Sequence, residues 1–264
     1  MRVLSTALSG ALLLAASAAS ATFSISYESE APGLQATTAT FSVGGVETFD
    51  NDPLGNSTAF ISNFGTGTAI AGNYSSVDIL TTDQYGGAGG TGQYAVTFSA
   101  TGYSLDLTSN VRGGLNYFGY WLSALDRGNQ VRFYTGNRLL FTFDPQDVIN
   151  AVNINADPGA YYGNPNPQFA GQNTGEPYIF LNFFNDGGSF DKVVFAETPA
   201  GGGYESDNHT VGRFLTRGTG TSVLITSGQT PGVPEPGTWA MLIAGFGLTG
   251  LVARRRRLTG VVAA

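Results

Sequence analysis

Apolar and polar residues alternate with a period of two in many short runs, and this constrains the fold more than any other feature of the chain. The runs include Thr22 to Tyr27, Gln93 to Ser99, Tyr103 to Leu107, Val131 to Tyr134, Tyr178 to Phe184, Lys192 to Ala196 and Val223 to Thr226. Successive side chains of a strand point to opposite faces, so each run predicts a half-buried strand. Glycine clusters at Gly86-Gly87-Ala88-Gly89-Gly90 and Gly201-Gly202-Gly203 separate the runs. Thr135-Gly136-Asn137-Arg138 has the central Gly-Asn of a tight two-residue hairpin turn. One short helix is expected after Asp144, which can cap it ahead of Pro145 at the first helical position and Asp147 in the first turn. Many short strands with one helix predict a mainly β passenger, an antiparallel β-sandwich of jelly-roll type over residues 22–232.

The ends of the chain read differently. Met1-Arg2 precedes an apolar run from Val3 to Ala16, and Ala19-Ser20-Ala21 is a small-x-small cleavage site. Residues 1–21 are thus expected to be a secretory signal peptide, cut after Ala21 so that the mature chain starts at Thr22. At the other end Pro234-Glu235-Pro236 leads into an uncharged stretch from Trp239 to Ala253, followed by Arg254, Arg255, Arg256 and Arg257. A helix of roughly 16 residues spans about 24 Å, short of a hydrocarbon core of about 30 Å. The stretch is therefore a marginal transmembrane helix, with Trp239 suited to the membrane interface. The arginine cluster is expected to stay cytoplasmic and place everything before Pro234 on the far side, in agreement with the signal peptide.

Setting aside Arg2, Arg254 to Arg257 and Glu235, the passenger keeps 18 acidic and seven basic side chains, a formal charge of −11 where the whole chain shows −7. That balance argues against binding nucleic acid and is compatible with calcium or with simple solubility. There is no cysteine, which removes disulfides and thiolate chemistry without arguing against export.

The C-terminal module, residues 233–258, resembles the PEP-CTERM sorting domain of Gram-negative bacteria, in the form Pro-Glu-Pro-x-x-Trp-Ala-Met ahead of an arginine run. The resemblance implies export by the general secretion machinery and a transient stay in the inner membrane. It further implies recognition by an exosortase, which cuts near Pro234, Glu235 and Pro236, and delivery to the cell surface or beyond. The blocks Asn116 to Asn129, Gly203 to Gly212, Asp83 to Gly87 and Tyr162 to Pro165 look like recurrent blocks of exosortase-dependent surface proteins.

Chemistry-bearing residues are few. His209 is the one histidine and no Gly-x-Ser-x-Gly elbow occurs, so a structural or solvent-facing histidine is expected rather than a catalytic one. Glu28 with Glu30, and Glu205 with Asp207, alternate so that each pair shares a strand face. As paired carboxylates they could serve a glycosidase. As oxygen ligands Glu28, Glu30, Glu205, Asp207 and Asn208 are candidates for calcium, against the plainer reading of Asp207-Asn208 as an Asx turn into a strand. The aromatic run Tyr117 to Trp121 could stack on sugars of an exopolysaccharide, although its alternation places most of it, and Trp121 above all, in the core. The resulting expectation is a non-enzymatic, exported cell-surface or matrix protein, with a carbohydrate-binding module as the alternative.

Overall fold

The computed structural model describes residues 22–29 and 33–225. The expected signal peptide with Ala19 and Ala21, Glu30, and the C-terminal module with Pro234 to Pro236, Trp239 and Arg254 to Arg257 lie outside the described residues. Among the described residues no helix is long and apolar enough to cross a membrane.

Among the described residues thirteen strands form one antiparallel sheet. In chain order they are β1 (Phe23–Tyr27), β2 (Thr40–Glu47), β3 (Gly55–Ser62), β4 (Ile70–Thr81), β5 (Gln93–Thr97), β6 (Tyr103–Ser109) and β7 (Tyr117–Leu122). They continue with β8 (Asn129–Thr135), β9 (Arg138–Thr142), β10 (Ile179–Asn185), β11 (Lys192–Glu197), β12 (Tyr204–Thr216) and β13 (Thr221–Val223). The spatial order is β13-β1-β10-β7-β12-β5-β4-β6-β11-β8-β9, with β2 on β12 and β3 on β4. The β8–β9 hairpin closes as the sequence predicts, with Thr135 opposite Arg138 and Gly136 at φ 55°. The single α-helix among the described residues, α1 (Pro145–Asn153), is capped by the Asp144 carboxylate, which accepts from the Gln146 N–H at 2.9 Å.

The sheet curls until its two halves face each other. β7 and β11 are five strands apart in the sheet order, yet the rings of Phe118 and Phe195 lie 5.9 Å apart. Phe133 on β8 meets Phe23 on β1 at 4.8 Å and Phe183 on β10 at 5.3 Å. Contacts of this kind across the interior replace the second sheet that a sandwich supplies, and they let one strip of chain enclose its own apolar face.

Two strands lose the half-buried pattern along their whole length. Every residue of β7 and of β10 is buried, so their outer faces are covered as well as their inner ones. Phe41, Ala39 and Phe214 pack over Tyr117 and Phe184 at one end. At the other end Trp121, Ala124, Tyr178 and Phe180 form a second small core beneath the loop Thr82 to Gly92. The alternation of Tyr178 to Phe184 thus marks two buried faces of different chemistry.

Because Phe133 bridges both halves, Phe133→Ala is expected to cost about 3–5 kcal/mol. Urea unfolding followed by tryptophan fluorescence would read this as a lower midpoint with an unchanged slope.

Candidate functional site

The four sequence blocks converge on one end of the outer face, and strand β12 organises them. Along one edge β12 pairs with β7, and along the other it pairs first with β5, through Tyr204 to Ser206, and then with β2, from His209 onward. The register against β7 runs Ser206↔Leu122 and Asp207↔Trp121, then resumes at Thr210↔Gly119. One extra residue is therefore inserted at Asn208, whose φ of 50° is tolerated by asparagine better than by most side chains.

This bulge decides which face each side chain takes. Strict alternation sets Glu205, Asp207 and His209 on one face. With the insertion, Glu205 and Asp207 stay on the outer face while His209 turns into the core. His209 is fully buried, not solvent-facing. Its Nδ1 lies 3.0 Å from Tyr74 Oη and its Nε2 3.0 Å from Ser206 Oγ, which in turn lies 2.9 Å from Tyr103 Oη. Phe195 stacks on the imidazole at 5.0 Å. Burial pushes its pKa down to about 3, so the ring is neutral and holds the core together. Asn208 sits inside a long strand and not in a turn; its N–H donates to Asp207 Oδ1 at 2.6 Å and its amide donates to Gln35 O at 2.9 Å.

Both outer-face carboxyls are buried, Glu205 to 4% and Asp207 to 3% exposure. Asp207 accepts from the Ala88 N–H at 2.7 Å and so ties β12 to the Thr82–Gly92 loop. The Asn-rich segment before β10 clamps the same loop. Asn164, Asn173 and Tyr178 each donate to Gln84 O at 2.8–2.9 Å, and Asn166 donates to Gly87 O at 3.3 Å. Burial pushes the Glu205 pKa up to about 8, and the charges of Asp83, Glu176 and Glu197 add to it. Burial likewise lifts Asp207 to about 7, against the two N–H groups that stabilise its charged form.

The calcium candidates do not gather. Glu28 follows β1, with its N–H bonded to Phe180 O; Phe180 pairs with Trp121 and Trp121 with Asp207. Glu28 thus stands three strand spacings, about 14 Å, from Asp207. Its carboxylate already accepts from Thr37 Oγ1, the Thr38 N–H and Oγ1, and Asn182 Nδ2 at 2.9–3.3 Å. Among the described residues no group of three or more His, Cys, Asp or Glu is placed to hold a metal ion. Tyr117 to Trp121 are all buried, so the run offers no open stacking face.

Beyond the last strand, residues 232–257 match the family model of the PEP-CTERM protein-sorting motif. The chain carries this sorting signal. No curated protein matches the chain. The PEP-CTERM motif implies an exported protein sorted by exosortase, with a membrane-anchored intermediate on the way to the surface. Among the described residues the last strand, β13, ends at Val223, before the motif begins.

The raised pKa of Glu205 sets the sign of a pH effect. A carboxyl that binds its proton more tightly when folded costs stability as pH rises from its unfolded value, 4.5, to its folded value, about 8. Glu205→Gln is therefore expected to match the parent near pH 4.5 and to exceed it above pH 8 by on the order of a few kcal/mol. Denaturant midpoints measured across that range check both ends, and parallel profiles would contradict the assignment.

Proposed function

We propose that residues 22–232 form a non-enzymatic cell-surface or extracellular-matrix protein, exported by the general pathway. The C-terminal helix tethers it briefly in the inner membrane, and exosortase processes it near Pro234 to Pro236. The observation that carries this reading is the sorting motif at 232–257, placed after the strand that completes the described fold. A cut at Pro234 to Pro236 removes no residue that the thirteen strands use. The jelly-roll connectivity belongs to the same reading, supported by the two facing halves of the curled sheet.

A passenger without catalysis accords with the chemistry available. The imidazole is enclosed by aromatic rings and neutral. Glu205 and Asp207, the pair suited to glycoside hydrolysis by spacing, are buried beneath a loop that six hydrogen bonds hold in place.

The intact mass of the protein recovered from the cell surface tests the proposal. A mass that starts at Thr22 and ends between Pro234 and Pro236 is expected. Retention of Arg254 to Arg257 on the surface form would refute processing and make the helix a permanent anchor. Replacing Pro234-Glu235-Pro236 with three alanines is expected to leave the full-length form in the membrane fraction, as fractionation and immunoblotting would show.

A further inference from the structure

Between the two small outer cores lies a buried polar group centred on Asn182 of β10. Asn182 alternates with Phe180 and Phe184 and so shares their outer face. Its side chain and that of Tyr117 are fully buried, and Glu28 is 1% exposed. The Asn182 amide oxygen accepts from the hydroxyls of Thr37 and Tyr117, both at 2.6 Å. The amide nitrogen donates to Glu28 Oε1 at 3.0 Å. Thr37 Oγ1 lies 3.3 Å from that same carboxylate oxygen. The Thr38 N–H and hydroxyl hold the Glu28 carboxylate at 3.1 Å and 2.9 Å, and the Ala39 N–H donates to Thr37 Oγ1 at 3.0 Å.

The phenol is brought to the amide by a missing side chain. Gly119 faces Asn182 across the β7–β10 ladder. A Cβ at Gly119 would fall on the Tyr117 hydroxyl, so only glycine there lets Tyr117 lie across the strand and reach Asn182. Phe41 and Phe184 pack against the Tyr117 ring at 4.7 Å and 5.2 Å. Burial holds the phenol well above its usual pKa, and it remains a donor. One amide is thus surrounded by a hydroxyl, a carboxylate shared by that hydroxyl and the amide nitrogen, and a phenol on the amide oxygen. Acyl transfer uses these parts as nucleophile, proton carrier and oxyanion donor.

We propose that Thr37 and Asn182 become joined by an ester bond, in a single self-modification of the folded chain without turnover. The Thr37 hydroxyl turns from the amide oxygen onto Glu28 Oε1, which frees a lone pair for the amide carbon. Thr37 Oγ1 attacks Asn182 Cγ as Glu28 takes the hydroxyl proton, and Tyr117 stabilises the oxygen that becomes negative. Glu28 returns that proton to the amide nitrogen, the C–N bond breaks, and ammonia leaves. One C–O bond replaces one C–N bond, with no oxidant and no co-reactant. Loss of ammonia to the medium drives the step, and burial keeps water from competing for the carbon. Thr37 and Asn182 are 145 positions apart, so the ester staples the segment ahead of β2 to β10 in a chain with no cysteine for disulfides.

The test is a tryptic digest of the full chain after it has been held folded near neutral pH. Trypsin cuts after Arg112, Arg138 and Lys192, which places Thr37 and Asn182 in different fragments. The fragment ending at Arg112 and the fragment 139–192 are expected as one joined species, lighter by about 17 Da, one ammonia, than the two together. Hydroxylamine, which cleaves esters, should separate them. Thr37→Val should give separate fragments while Thr37→Ser still joins them. Glu28→Gln and Tyr117→Phe should each slow joining at least about tenfold. Tryptophan emission checks that each variant is folded, and Tyr117→Phe carries the comparison if Glu28→Gln is not. Separate fragments of unchanged mass would overturn the proposal. So would conversion of Asn182 to aspartate without joining, ammonia loss confined to fragment 139–192, or joined fragments that persist in Thr37→Val.

Discussion

The hydrogen bonding of β12 to three other strands is the constraint on which the rest of the structure depends. β7 takes one edge along most of its length, and β5 and β2 share the other. A strand that serves two partners in succession along one edge draws the β13-β1-β10-β7 half of the sheet over the β4-β6-β11-β8 half. The aromatic contacts of Phe118 with Phe195 and of Phe23 with Phe133 then follow from the curl. The insertion at Asn208 lets both segments of β12 keep a polar network inside, with Ser206 before the bulge and His209 after it. A strand without it would turn His209 out and bring a different set of side chains into the core.

Burying both faces of β7 and β10 has an electrostatic consequence. The outer face at the β12 end is roofed by the Thr82–Gly92 loop, and the roof is held by amide donors from Asn164, Asn166 and Asn173 together with the packing of Ala88 on the small core of Trp121, Ala124, Tyr178 and Phe180. Carboxyls beneath and beside such a roof lose water without gaining a cation, so burial favours their protonated forms. Asp207 offsets part of that cost through two backbone N–H groups. Glu205 instead faces Asp83, Glu176 and Glu197. The proton on Glu205 is therefore held more tightly in the folded chain than in the unfolded one.

The two ends of the folded passenger suit a protein that is trimmed. β1 and β13 lie side by side and antiparallel, with Ile25 opposite Val223. The chain thus enters and leaves the sheet at the same end of one pair of strands. The proposed cuts, after Ala21 and at Pro234 to Pro236, both fall beyond the paired residues, and neither would touch a strand that closes the core.

The sequence by itself determined the strand-rich class, the β8–β9 hairpin, the cap on α1 and the C-terminal sorting signal, because each depends on residues a few positions apart. Alternation, a Gly-Asn pair, an Asp-Pro helix start and a Pro-Glu-Pro module are local codes. Strand β12 was not legible in this way: its Glu205-Ser206-Asp207-Asn208-His209 run is polar, and polar residues signal a strand only once cross-strand partners bury them. Strands β2, β3 and β4 likewise carry too many Gly, Ser, Thr and Asn side chains for the apolar period to stand out. The tertiary structure decided the faces. One inserted residue at Asn208 placed His209 inside, the roof loop buried Glu205 and Asp207, and three strand spacings put Glu28 out of their reach. Each of these depends on which distant strands meet, and that is set by the curl of the whole sheet.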